Sequence, residues 1–114
     1  SLVHFCYYHN MKIRHTVIFT FYENTTPDQI DEIIKRLNAM GEYLVAELGV
    51  TNWVVAKHIP ETFKNGRAHL LQDCIFPSID TLVKHADSES HKLVVELTPS
   101  VCDWMTVDTA ISEI

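Results

Sequence analysis

Hydrophobic and polar residues alternate between Ile13 and Phe21. An alternation of period two is typical of a β-strand whose two faces meet different surroundings. One face of this predicted strand carries Ile13, His15, Val17, Phe19 and Phe21. The opposite face carries Arg14, Thr16, Ile18 and Thr20.

A helix start signal follows this strand at residues 25–28, TTPD in sequence. It supplies a hydroxyl for the N-cap, a proline suited to the first turn and an acid near the positive helix end. Apolar residues then recur at spacings of three and four, at Ile30, Ile33, Ile34, Leu37, Met40, Leu44 and Leu48. This pattern predicts one long amphipathic helix up to Gly49, with Gly41 weakening its middle without ending it.

The next two apolar segments predict a β-hairpin. Asn52 to Ile59 is rich in β-branched and aromatic residues, and Arg67 to Phe76 repeats that character. The polar loop between them ends in Asn65-Gly66, a strong turn dipeptide. Because this connection is short, we expect the two strands to pair antiparallel.

Two short helices and a last strand complete the pattern. Proline and serine at 77 and 78 break the third strand, and apolar spacing predicts a helix from Ile79 to about Ala86. Ser88 is positioned to cap a second helix, which Pro99 should kink or end. Alternation returns from Trp104 to Ile111 and predicts the closing strand.

The predicted order of elements is therefore β, long α, β, β, two short α, β. A mostly antiparallel four-stranded sheet with helices on one face satisfies this order, which makes the fold class α+β. Apolar residues remain on the second sheet face, because Ile18 and the hairpin residues leave neither side wholly polar. A second copy of the chain, packed sheet against sheet about a two-fold axis, is the simplest cover, so we expect a homodimer.

Composition excludes several classes of protein. The 114 residues are 46% hydrophobic and 21% charged, as in a single folded domain. A formal net charge of -6 and the lack of a basic run argue against a nucleic-acid partner. Apolar stretches stop well short of the roughly 20 residues of a membrane span, and no secretory signal pattern is present. We therefore expect a cytoplasmic protein.

Neither the cysteines nor the first ten residues are expected to form a functional site. Cys6, Cys74 and Cys102 are an odd number without a CxxC pair, so we expect small buried thiols rather than disulfides. Residues 1–10 are interpreted as a leader or expression-derived segment and 11–114 as a single domain. Metal binding by His4, Cys6 and His9 in that leader would be adventitious.

Several segments resemble the stress-responsive dimeric α/β-barrel (Dabb) family. Arg14 to Phe21 is similar to its first strand, in which a basic residue and a histidine precede alternating apolar positions. Phe76 to Leu82, His85 and Ser88 to His91 resemble its third strand, short helix and His-Pro-x-His segment. Met105 to Asp108 is similar to its closing strand. The resemblance covers residues 11–111 and implies a ferredoxin-like βαββααβ monomer that dimerises into an α/β barrel.

One branch of this family, the plant polyketide cyclases such as olivetolic acid cyclase, is enzymatic. In that branch an intramolecular aldol step uses a histidine at the position of His91, assisted by a tyrosine at the position of His85. A first-strand histidine of the same pocket falls at His15. The resemblance also implies an apolar pocket lining of Val17, Phe19, Ile33, Ile34 and Leu37.

The chain departs from the cyclase pattern, since His85 replaces the tyrosine and Ser88 and Glu89 replace the histidine and proline. Many members of the family are known only as stress-linked or uncharacterised proteins. Our first hypothesis is thus a stress-related, small-molecule-binding protein without catalysis of its own. A cofactor-free cyclase-like or lyase enzyme acting on a small apolar or polyketide-like ligand is the second. An oxygen-dependent monooxygenase of the same architecture is a more distant third.

The histidines also carry chemistry of their own. His91 lies in the first turn of a predicted helix, where the helix dipole disfavours protonation and leaves a neutral general base for a proton beside a carbonyl. The alternative is an ordinary residue that caps or packs at the helix end.

His15 alone is more typical of a core histidine with one hydrogen bond. Convergence of His15, His85 and His91 on one apolar cavity would define a site. Three imidazoles also suit zinc, but without a close-spaced ligand pair we expect neither metal nor cofactor.

Overall fold

The computed structural model describes residues 8, 10–64 and 66–111. Strand β1 spans Lys12–Phe21 and helix α1 spans Pro27–Leu48. Strands β2, Thr51–Lys57, and β3, Leu70–Phe76, follow, with a 3-10 turn at Pro60–Thr62 between them. Helix α2, Ile79–Ala86, helix α3, Glu89–Val101, and strand β4, Cys102–Ile111, complete the order.

The four strands form one antiparallel sheet in the order β2-β3-β1-β4. This order puts β1 and β3 in the centre, where both edges of each strand are hydrogen-bonded. The helices pack on one face of the sheet and bury it. The predicted α+β class, the βαββααβ order and the antiparallel hairpin are therefore confirmed as a ferredoxin-like arrangement.

Helix α1 begins and ends where its capping residues predict. The Thr26 hydroxyl accepts a hydrogen bond from the Gln29 backbone at 3.2 Å, and the Gln29 side chain accepts one from the Thr26 backbone at 2.9 Å. Together these bonds form a capping box that satisfies two free backbone donors. Gly49 closes the helix with a left-handed φ of 70°, a conformation that glycine adopts without steric cost.

Gly41 has a packing role that its helix propensity does not reveal. A Cβ atom at this position would lie 2.3 Å from the indole of Trp53 on β2. The indole also donates a hydrogen bond of 3.4 Å to the Asn38 side chain. The glycine therefore allows α1 to approach β2 closely.

Several element boundaries differ from expectation, among them the end of β2 at Lys57 rather than Ile59 and the start of β4 at Cys102 rather than Trp104. Strand β3 begins at Leu70 rather than Arg67, and the ring of His69, just before it, accepts a hydrogen bond of 2.8 Å from the Phe21 backbone. Helix α3 continues through Pro99 and ends two residues later at Val101. The Thr98 hydroxyl contacts the Val95 carbonyl at 3.5 Å and so partly replaces the donor that the proline lacks.

The sheet face opposite the helices carries exposed apolar side chains, as the sequence predicted. Met105 is 71% exposed, Val107 54% and Val54 42%. Ile18 lies between Leu71 and Met105 in the strand register, which makes the apolar area continuous across three strands. We call the area formed by these residues the outer sheet face.

Cys74 and Cys102 are buried free thiols, as expected, while Cys6 lies outside the described residues. Most of the proposed leader, residues 1–7 and 9, also lies outside them, and so does Asn65 of the predicted turn. In the described part of the chain, no helix is both long and apolar enough to span a bilayer.

Candidate functional site

A cavity of about 390 Å³ lies between the helices and the sheet face that they cover. This volume is within the range of small-molecule sites. The cavity opens to solvent beside Val83, Val95 and Trp104, which are 60%, 43% and 45% exposed. Its lining comprises His15, Val17, Phe19, Leu37, Met40, Gln72, Leu82, Val83, His85, Ala86, His91, Val94, Val95, Thr98, Trp104, Thr106 and Asp108.

All three histidines selected from the sequence line this cavity. His15 comes from the middle of β1, His85 from the last turn of α2 and His91 from the first turn of α3. The ring centroids of His85 and His91 are 4.6 Å apart, and those of His15 and His85 are 5.9 Å apart. Tertiary structure thus joins groups that are as many as 76 positions apart in the chain.

Asp108 orients the His15 ring. The strand register places Asp108 directly opposite His15, and its Oδ1 lies 2.5 Å from the imidazole Nδ1. A carboxylate oxygen accepts hydrogen bonds, so the imidazole Nδ1 is the donor in this contact. Sequence reasoning did not select Asp108, because its position opposite His15 depends on the β1–β4 register.

His91 has the hydrogen bonding expected of a neutral base. Its Nδ1 lies 3.1 Å from the Ala86 carbonyl, which can only accept, so Nδ1 donates and Nε2 is free to take a proton. Burial lowers the pKa of His91 below its ordinary value of 6.5, against the effect of this hydrogen bond, which raises it. Burial therefore favours the neutral form of the His91 ring.

His85 is buried, with 4% of its surface exposed. Burial, together with the neighbouring His91 and His15, lowers the pKa of His85 to about 3. Its Nδ1 is buried without a hydrogen-bond partner. The Ser88 hydroxyl donates to the His85 carbonyl at 2.9 Å and accepts from the His91 backbone at 3.2 Å, which fixes the two histidines relative to each other.

Gln72 is a further polar residue in the cavity that sequence reasoning missed. It lies on β3 opposite Val17 and is only 1% exposed. Its side-chain Nε2 is buried without a hydrogen-bond partner. The sequence of an alternating strand does not reveal that the amide of a glutamine is buried, because this burial depends on how the helices pack over the sheet.

The apolar lining that the family resemblance implied divides into two groups. Val17, Phe19 and Leu37 line the cavity. Ile33 is fully buried in the core, and Ile34 packs against that core, so neither is among the lining residues. On helix α1 the cavity is reached one turn further along, at Leu37 and Met40.

The charge around the cavity restricts the ligands that fit it. None of its lining residues, as far as the chain is described, is lysine or arginine. Its one carboxylate, on Asp108, is bound to His15. Within the described ranges no group of three or more His, Cys, Asp or Glu side chains is arranged to hold a metal ion. The cavity therefore suits a neutral, largely apolar molecule.

The remaining histidines lie elsewhere or are not described. His58 and His69 pack against Phe63 beside a second groove near the β2–β3 loop. His4 and His9 lie outside the described residues, together with Cys6.

Comparison with known proteins identifies the fold. No family model matches the chain, and no curated protein matches it in sequence. A dimeric ferredoxin-like protein of unknown function from Thermobifida fusca superposes with a TM-score of 0.75 at 21% identity, covering 92% of this chain and 95% of that one. A hydroxynitrile lyase from Passiflora edulis superposes with a TM-score of 0.70 at 17% identity, covering 92% and 97%.

A Dabb family protein with a ferredoxin-like fold from Mesorhizobium loti superposes with a TM-score of 0.65 at 19% identity, covering 90% of this chain and 99% of that one. Identities at this level establish a common architecture and leave the chemistry of each site to its own residues. The chain thus has the ferredoxin-like fold that this Dabb protein, a lyase and a dimeric protein of unknown function share.

Proposed function

We propose that this protein binds a small, neutral, largely apolar molecule in the histidine-lined cavity. The observation that carries the proposal is the convergence of His15, His85 and His91 on one apolar space of about 390 Å³. Polar groups in an otherwise apolar cavity are the usual composition of a ligand site. The stress-related role and the cytoplasmic location remain predictions from the sequence.

The protein acts as a homodimer in this proposal. The outer sheet face is apolar and exposed in a single chain, and a matching face on a second copy would cover it. The similar structure from Thermobifida fusca is described as dimeric, which supports the same arrangement here. The cavity lies on the other side of the sheet, so dimerisation leaves its mouth accessible.

A second candidate function is catalysis of proton transfer by His91. The observation that favours it is the hydrogen bond from Nδ1 to the Ala86 carbonyl, which leaves Nε2 as a basic nitrogen in the cavity. Such a base can remove a proton from carbon beside a carbonyl group. The named activity of the Passiflora edulis protein is a lyase activity, which is compatible with this candidate.

The binding proposal is tested with 1-phenylbutan-1-one, a neutral aryl ketone, as probe. We expect saturable binding by titration calorimetry, with shifts of the His15, His85 and His91 ring signals in NMR spectra. Thr106→Phe should weaken this binding at least about tenfold, because the larger side chain fills the cavity from β4. Thr106→Val, which keeps the volume, should bind like wild type.

Thr106 is exposed on a strand, where aromatic residues are well tolerated, so both variants should fold. Circular dichroism checks this directly. The proposal would be contradicted if Thr106→Phe bound the ketone as tightly as wild type. It would also be contradicted if the ketone bound without shifting the three histidine signals, because the ligand would then lie elsewhere.

A further inference from the structure

Two buried polar atoms in the cavity lack hydrogen-bond partners, Gln72 Nε2 and His85 Nδ1. Within the described residues, no other side-chain nitrogen or oxygen shares this combination of burial and missing partner. Leaving such an atom unpaired lowers stability relative to a satisfied group. Both residues are more than nine-tenths buried, and both line the same cavity.

The surroundings of Gln72 within the fold offer its amide only a weak acceptor, the Cys74 thiol. On β3 its side chain points to the helix-covered face, between Leu70 and Cys74, with Val17 opposite on β1. The Gln72 amide slightly counters the burial that raises the pKa of Cys74 to about 11. A protonated thiol is only a weak acceptor, so it does not satisfy a buried amide donor.

We propose that Gln72 is a specificity-determining residue whose Nε2 donates a hydrogen bond to a carbonyl oxygen of the bound molecule. This inference rests on the proposed binding function and names the chemical group that the cavity recognises. Gln72 Nε2 only donates, so its partner on the ligand must be an acceptor. His85, also unpaired at Nδ1, is a second polar group that lines the same cavity.

A neutral carbonyl fits the surroundings better than an anionic group. The lining offers no lysine or arginine among the described residues to balance a ligand charge, and the Asp108 carboxylate would repel an anion. A carbonyl oxygen satisfies the Gln72 donor without bringing a charge into an apolar space. The remaining walls, such as Phe19, Leu82 and Val94, are suited to a hydrocarbon or aryl portion.

The test compares two probes that differ only at one carbon, 1-phenylbutan-1-one and butylbenzene. Wild type should bind the ketone more tightly. Gln72→Met removes the amide donor at nearly constant side-chain length, and it should lower the ketone affinity about tenfold while butylbenzene binds as well or better. In wild-type NMR spectra, the Gln72 side-chain NH2 signals should shift with the ketone and not with butylbenzene.

Leu37→Met is the matched control, because it introduces the same side chain on another wall without removing a polar group. It should change the affinities for both probes alike. Gln72→Met should unfold at the same temperature as wild type or higher, since an unpaired buried amide is removed. Gln72→Leu is a second variant with the same expectation.

The failures are distinguishable. If wild type binds neither probe, the proposed binding function is overturned and this inference with it. If wild type binds both probes equally, or if Gln72→Met weakens both equally, the binding function stands and the carbonyl contact of Gln72 is wrong. Unmoved Gln72 amide signals on ketone binding would contradict the inference in the same way.

Discussion

The imidazole of His91 combines a fixed tautomer with a position at the cavity wall. Its Nδ1 is held by the Ala86 carbonyl and its backbone N–H by the N-cap Ser88. These two contacts, one to the ring and one to the backbone of His91, fix the direction of the ring. A residue arranged in this way is ready to accept a proton at Nε2 without first changing its tautomer.

We expect the protein to accelerate the exchange of hydrogen for deuterium beside the carbonyl of 1-phenylbutan-1-one in D2O. In this step Nε2 of His91 takes the proton, the C–H electron pair moves into an enolate, and a deuteron from solvent returns to carbon. His91→Gln should lower the protein-dependent rate by about 100-fold, the usual contribution of a general base. NMR integration of the α-hydrogens measures it.

The pH profile of this exchange follows from the direction of the His91 pKa shift. A base acts in its deprotonated form, so the rate rises with pH as His91 loses its proton. Because burial lowers the pKa of His91 below 6.5, the rate should reach its plateau before neutral pH. His58→Gln, outside the cavity, is the control; an unchanged rate in the His91 variant would exclude His91 as the base.

At the scale of elements, the contact between α1 and β2 depends on a missing side chain. Gly41 in the middle of α1 faces the Trp53 indole on β2 at a distance that leaves no room for a methyl group. Glycine at this position has a lower helix propensity than most other residues, but it allows the helix to pack closely on the sheet.

Gly41→Ala should therefore destabilise the protein even though alanine favours a helix by about 1 kcal/mol. We expect the free energy of unfolding to fall by about 1–3 kcal/mol, the usual cost of an overpacked core, in urea denaturation followed by circular dichroism. In a Trp53→Ala background the same substitution should be stabilising. A stabilising effect with Trp53 present would show that the indole moves away easily.

At the scale of the whole molecule, the outer sheet face exposes apolar side chains that association with a partner would bury. Its members come from β1, β2, β3 and β4 and are apolar without any covering helix. The helix-covered face is already complete, with a core of residues such as Ile33, Leu44 and Phe76 at no measurable exposure. One sheet thus has the histidine-lined cavity on one side and an exposed apolar area on the other.

We expect the wild-type protein to sediment as a dimer and Met105→Glu to sediment as a folded monomer. Met105 is 71% exposed on the outer sheet face, and dimerisation through that face would bury the introduced carboxylate in an apolar interface. Leu93→Glu, at an exposed apolar position on α3, should remain dimeric. A wild-type monomer in dilute solution would contradict the proposed assembly.

Local sequence determined the elements of this protein. The threonine at 26, the proline at 27 and the glycine at 49 fix the ends of α1 within one residue, and alternation in β1 separates its buried and exposed faces. These signals suffice because they act between residues only a few positions apart. The histidines of the candidate site were recognisable because each lies within a predicted element and matches a position that the family resemblance marks.

Tertiary structure alone decided which residues complete the site. Asp108 meets His15 across 93 positions of sequence, and the Gln72 amide becomes unpaired only when the helices close over β3. The helix phase directs Leu37 to the cavity and Ile33 to the core, and the Trp53 contact gives Gly41 its role. Strand register and helix docking arise from long-range packing, which no local pattern of side chains specifies.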